Sequence, residues 1–286
     1  IAVASVFGLL SSAYLGLTGD EAAYTNAQVQ PMKLAAMEGL YKGTTRAGLV
    51  AIGLPNSMKI PGDNQKDFFF KIEVPGVLSF LANRDLNSFV PGIDDLVWGN
   101  PEYGIMGVKE KMARGKAALA QLAAYKQARQ QEPAEAERLL AEFRKNEPYL
   151  GYGYLERPAD AVPPVAMTFW SFRVMVILGT LFPLLFLAFL VQLLRGRLEQ
   201  SRGLLQLGVI GVFLGWIATE LGWVVAEVGR QPWAIQDLLP TWVARSNLTA
   251  GTVQTTFFLF LAVFTVLLIA EVRIMWHQIK QGPEEA

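Results

Sequence analysis

The sequence contains no cysteine and a single histidine, His277. Without thiols the chain builds no disulfide, no thiolate metal site and no cysteine nucleophile. One imidazole excludes a multi-histidine metal cluster made by this chain alone. Charge is scarce as well: 17% of the 286 residues are Asp, Glu, Lys or Arg, against roughly 25% in soluble domains. Neither sign prevails, with 25 basic and 25 acidic residues, so no net field favours nucleic acid or an acidic partner. No basic stretch precedes the apolar run that begins at Ile1, so the start does not read as a signal peptide. The expectation is a chain entered partway through a longer design.

What is plentiful is hydrophobic, 52% of the residues, and it is gathered in four runs. Ile1 to Leu17 is uncharged and at the short limit for a membrane span, about 17 residues, which predicts a partial helix over 1–18. Val174 to Leu194 lies uncharged between Arg173 and Arg195 and would span about 31 Å as a helix. Leu204 to Ala226 is interrupted only by Glu220, and Gly251 to Ala270 carries no charge. The reading is an all-α integral membrane protein with four transmembrane helices, at 1–18, 164–195, 203–229 and within 251–280, the last range including a cytoplasmic tail. Arg195, Arg197 and Arg202 in one short link, and Arg273 and Lys280 after the last run, place those two segments in the cytoplasm. Residues 19–163 and 230–250 then form extracytoplasmic loops. Within the large loop, "GVKEKMARGKAALAQLAAYKQARQQ" and "PAEAERLLAEFRKN", the second opened by Pro133 at an early helical position, predict a solvated helical hairpin. The Gly- and Pro-punctuated stretch "IPGDNQKDFFFKIEVPGVLSFLANRD" predicts short irregular elements.

Polar residues inside the apolar runs need a partner or a task, because an ionisable group in hydrocarbon costs a few kcal/mol or more. In "ELGWVVAEVGRQPW", Glu220, Trp223, Glu227 and Arg230 fall within an arc of roughly 80° on a helix. Glu227 and Arg230 stand at i, i+3 and can pair, which on its own is an interfacial ion pair. Glu220 lies deeper, has no basic neighbour on its helix, and must face the bundle interior, a cofactor or a proton path. In "FRVM", Arg173 sits at the outer rim of the second long run, with Met175 in its first turn. A snorkelling arginine and a packing methionine are the plain interpretations. With Trp223, Trp233 and Arg230 near the same face, the cluster also suits haems whose propionates pair with arginine and whose iron accepts a thioether. In "QPMKLAAMEG", Gln30, Lys33 and Glu38 belong either to a surface helix at the membrane boundary or to a site for a lipid-soluble head group that offers hydroxyls to a carboxylate.

Taken together, "GWVVAEVGRQPWAI" (222–235), "FRVM" (172–175), "QPMKLAAMEG" (30–39) and "SNLTAG" (246–251) resemble subunit I of the cytochrome bd quinol oxidases. The likeness covers essentially the whole chain and corresponds to the family's C-terminal part, with a quinol-binding loop of the long type. It implies a quinol:oxygen oxidoreductase that oxidises quinol at the outer face of a bacterial cytoplasmic (inner) membrane and reduces O₂ to water. Met175 is implied as one axial ligand of the low-spin haem b, with Arg173 holding propionate charge. Lys33 and Glu38 are implied in quinol binding and oxidation, with Gln30 beside them. Trp223, Glu227 and Arg230 are implied near a high-spin haem b and haem d, and helix geometry adds Glu220. In the family the histidine partner of the methionine ligand lies on earlier helices, and His277 matches no ligand. The expected partners are therefore a chain or N-terminal half that shares the haems, subunit II, small single-helix subunits, membrane lipid and quinol, with no nucleic acid. The alternative is a non-catalytic, quinone-binding or scaffold paralogue that has lost its haems.

Overall fold

A computed structural model describes residues 1–129 and 132–282. Among the described residues, four helices are long and apolar enough to cross a membrane: α1 (Ala2–Val29), α7 (Val165–Leu194), α8 (Arg202–Glu227) and α9 (Ala250–Gln281). The first runs well past Leu17, where the uncharged stretch ends. Its charged extension is tied by Asp20, whose carboxylate accepts from Arg84 at 2.8 Å, and by Tyr24, whose ring lies under the same guanidinium. The loss of hydrophobicity at Asp20 thus ends the apolar run without ending the helix.

A large loop connects α1 to α7. It opens with α2 (Pro31–Glu38) and then forms two short sheets, β1 (Thr44–Thr45) with β4 (Phe89–Val90) and β2 (Leu49–Pro55) with β3 (Phe68–Val74). Both pairings are antiparallel. The stretch expected to be irregular, residues 60–85, therefore supplies the second strand of a β-hairpin and then α3 (Val77–Asn83), with α4 (Ile93–Trp98) beyond it. The expected helical hairpin is present as α5 (Val108–Ala128) and α6 (Pro133–Asn146); residues 130 and 131, which join the two, lie outside the described residues. Two 3₁₀ segments, Glu147–Tyr154 and Pro158–Ala161, lead into α7.

The loop is anchored at two places. Around α2, Leu34, Ala47, Leu78, Ala82 and Val90 form one apolar cluster, while Ala35, Tyr41, Ile93, Leu96 and Val97 form another on the opposite flank. Around the start of α5, Val108, Met112, Tyr152, Leu155, Ala161 and Trp233 are packed together. Trp233 belongs to a third small sheet that follows α8, β5 (Trp233–Ile235) paired with β6 (Leu239–Pro240). Tyr152 meets the Trp233 ring edge-on at 4.8 Å and donates its hydroxyl to Asp237 at 2.7 Å. The insertion thereby braces the turn that ends the "GRQPW" motif.

Residues 1–243 form one compact unit and 244–286 a second. The second contains α9, whose N-terminus is capped by Thr249 accepting from the Thr252 amide.

Candidate functional site

The site begins where α1 stops. Gln30 precedes Pro31 and has left the helical region, with φ −132° and ψ 56°, as the steric demand of a following proline favours. Pro31 is pre-organised for the first helical position and restarts the chain as α2. The helix lasts eight residues and is closed by Gly39 in the left-handed region, φ 60°. A side chain at Gly39 would meet the Phe68 ring at 2.9 Å and would also carry the left-handed penalty of about 1–2 kcal/mol. Gly39→Val is therefore expected to lower the melting temperature of the purified protein and to loosen Glu38, the residue just before it. A wild-type melting curve for that variant would refute the argument.

Glu38 is the last residue of α2 and only 3% exposed. Its Oε2 accepts from Nη2 of Arg173, itself 8% exposed, so residues 135 positions apart form a buried ion pair. The Val50 amide also donates to the Glu38 carboxylate. Arg173 lies over the rings of Phe169 and Phe172, 5.0 and 5.2 Å from their centroids. Burial pushes the Glu38 carboxyl above the usual carboxylate range, against the opposing pull of Arg173 and the Val50 amide. A position at the negative end of a helix acts in the same direction as burial.

Lys33 leaves α2 in a different direction. Its Cγ lies 3.3 Å from where a Cβ on Gly229 would stand, so the absence of a side chain just after α8 makes room for it. Arg230 and Glu227 flank this point, paired at 2.5 Å as their spacing foretold. Burial holds the Lys33 ammonium below the usual lysine range; the nearby Arg230 adds to this and Glu227 opposes it. Three side-chain atoms here are buried without a hydrogen-bond partner among the described residues: Gln30 Oε1, Arg173 Nε and Arg230 Nε. Two are cationic donors and one is an acceptor.

Met175 lies two residues beyond Arg173 at the seam between α7 and α8. Its Sδ is 3.2 Å from the point where a Cβ on Gly222 would stand. Gly222 thus gives the thioether its place, and Met175 remains partly exposed. Trp223, the next residue, is 62% exposed, and Glu220 is exposed too. The fold brings Gln30, Lys33, Glu38, Arg173, Glu227 and Arg230 to the loop-side ends of α7 and α8, with Met175 just below. Glu220 and Trp223 line α8 further along. The sequence offered no sign of Phe169 or Val50 as members of the site, and Gly229 stood there only inside the 222–235 motif. Their roles are a ring face, a backbone amide and an empty volume, none of which leaves a residue pattern.

Buried charge at the rims of membrane-length helices, with a thioether two residues further along α7, defines a multi-span helical membrane protein with a polar site at one face. Residues 1–283 match the family described as cytochrome bd terminal oxidase subunit I, and the chain belongs to that family. It is 36% identical to the cytochrome bd-II ubiquinol oxidase subunit 1 of Escherichia coli K12, over 99% of this chain and 55% of that protein. It is 28% identical to the cytochrome bd ubiquinol oxidase subunit 1 of Bacillus subtilis 168, over 99% of this chain and 48% of that one. The structure of bd oxidase from Geobacillus thermodenitrificans shares its fold, with a TM-score of 0.60 at 23% identity, covering 96% of this chain and 48% of the other. The chain spans about half the length of the curated relatives it matches.

Proposed function

We propose that the chain forms the quinol-oxidising side of a bd-type quinol:oxygen oxidoreductase in the bacterial inner membrane, with its large loop on the outer face. The observation that carries this reading is the buried pair of Glu38 and Arg173, which joins a carboxylate on the loop helix to the helix that bears Met175 two residues on. The relatives named above are ubiquinol oxidase subunits.

The residues fit a haem on this side of the seam. Met175 presents a partly exposed thioether, a known axial ligand type. The unpartnered Nε of Arg173 and of Arg230 are donors suited to propionate carboxylates. Met175 would supply a thioether to a low-spin haem b, with the remaining ligands coming from the rest of the assembly. Trp223, Glu227, Arg230 and Glu220 would face the high-spin haem b and haem d, which are shared with the rest of the assembly. That assembly includes subunit II and small single-helix subunits. Bound haems supply the one-electron and oxygen chemistry.

The chain's own residues do the proton work. Quinol docks at the outer loop against α2, with Gln30 Oε1 as acceptor for a hydroxyl. The Glu38 carboxylate takes the hydroxyl proton, and Lys33 stabilises the oxyanion that develops. Arg173 holds the Glu38 carboxylate in place and balances its charge before the proton arrives. Protons from quinol leave to the outer side, while those consumed in making water come from the cytoplasm. Charge is thereby separated without a pump. Glu227, paired with Arg230, and Glu220 would serve as counter-charges or proton relays along α8.

Two measurements test this reading. A dithionite-reduced minus air-oxidised spectrum of the purified complex should show a haem b α-band and a red chlorin band; a complex without haem would leave only a scaffold role. The pH profile gives the second. Glu38 must be ionised to take a proton, and burial holds it protonated above the ordinary value of about 4.3. Quinol oxidation should therefore rise with pH across a limb displaced upward from that value. A limb at the unperturbed carboxylate pH, or none at all, would argue for a different base.

A further inference from the structure

The hairpin of β2 and β3 has its polarity inverted. In an antiparallel pair directly opposed residues share a face, and the register pairs Leu49 with Val74, Ile52 with Ile72 and Leu54 with Phe70. These six side chains form one face, and all are apolar. The intervening pairs, Val50 with Glu73 and Gly53 with Lys71, form the other. That second face is turned toward the protein at Val50 and Gly53, while Lys71 and Glu73 at its rim stay exposed and pair with each other at 2.6 Å. Val50 is buried, a Cβ on Gly53 would touch Val50 and Phe68, and Phe68 packs edge-on against Phe169 at 5.6 Å. Leu49, at one end of the apolar face, packs against the cluster around Leu34 and Leu78; the rest of the face is turned outward, with Ile52, Leu54, Phe70, Ile72 and Val74 each 49–64% exposed. A sheet with one solvated face normally presents polar residues there.

The depth of the hairpin indicates what covers this face. Phe169 stands five residues before Val174, where the uncharged part of α7 begins, so it lies about 7.5 Å above that point along the helix. This is the height of the head-group layer. The next residue, Trp170, packs on Phe169 at 5.5 Å and is 45% exposed, as in the aromatic belt of a membrane protein. The exposed Lys66 at the start of the returning strand makes no ion pair among the described residues, which leaves an ammonium for anionic phosphates.

We infer that the β2–β3 hairpin is a lipid-contacting element. Its apolar face rests on the acyl boundary of the leaflet on the loop side, and Lys66 lies among anionic head groups. The hairpin anchors the loop to the bilayer beside the ion pair of Glu38 and Arg173, since the same sheet supplies the Val50 amide to Glu38.

Because the chain has no cysteine, Leu54→Cys and Phe70→Cys each add the only thiol of this chain. Each variant would be spin-labelled in the complete complex in bilayers of phosphatidylcholine and phosphatidylglycerol, with the unsubstituted complex as blank. Collision with oxygen, which concentrates in lipid, is compared with collision with a water-soluble nickel chelate. Asn64→Cys, in the exposed connection between the strands, serves as the aqueous reference. At positions 54 and 70 the ratio of oxygen to nickel collisions should exceed that at 64 by roughly severalfold, as for a side chain sunk a few ångströms past the head groups. A ratio equal to that at 64 would put the face in water. Low collision with both reagents would put it against another protein chain. Either result overturns the inference, and neither depends on quinol oxidation.

Discussion

Glu38→Ala is expected to abolish quinol oxidation and to destabilise the protein. Removing one member of a buried ion pair leaves the other charged and unpaired, which typically costs 3–5 kcal/mol. Arg173 is 8% exposed and cannot reach water without displacing Phe169 and Phe172, whose rings it covers. Glu38→Gln separates the two consequences. The amide oxygen still accepts from Arg173 and the Val50 amide, so most of the stability should return, but an amide takes no proton at neutral pH. Oxygen uptake driven by quinol should therefore stay absent in Glu38→Gln while its melting temperature approaches that of the parent. Recovery of turnover in Glu38→Gln would show that the carboxylate is structural and that another group receives the proton.

Met175→Leu is expected to remove the low-spin haem signal while leaving the fold intact. Leucine and methionine are close in volume, and such exchanges usually cost less than about 1.5 kcal/mol, so the seam between α7 and α8 should tolerate the change. What disappears is the sulfur. The reduced-minus-oxidised spectrum should lose or shift the low-spin haem b band, and quinol oxidation should fall with it. Gly222→Val probes the same point from the facing helix, since even a Cβ there would lie 3.2 Å from Sδ. It should perturb the same band without touching a charged residue. An unchanged spectrum in Met175→Leu would remove Met175 from the haem site.

The four spans and the pairing of Glu227 with Arg230 could be read directly from the sequence, because both depend on local spacing: long uncharged runs in one case and an i, i+3 interval in the other. The pairing of Glu38 with Arg173 could not. Both residues carried a functional expectation, Glu38 toward quinol and Arg173 toward haem propionate, but no periodicity links positions 135 residues apart. Only the folded loop shows that the arginine holds the carboxylate. The β2–β3 hairpin escaped for the opposite reason. "DFFFKIEV" has three consecutive phenylalanines where a half-buried strand would alternate, and bulges at two points break the register. The extension of α1 to Val29 was hidden because charge interrupts hydrophobicity but not helical hydrogen bonding.

The brevity of α2 has one more consequence. Lys33 and Glu38 lie five residues apart on a rigid helix and therefore point about 140° away from each other. One is seated against the end of α8 and the other is gripped by α7. The short helix works as a crossbar between the two spans, and any sliding of α7 past α8 must either tilt it or break one of its attachments. One short element thereby holds side chains against two different membrane helices. A rearrangement deep in the bilayer that moved α7 against α8 would be felt in the loop as a tilt of this crossbar.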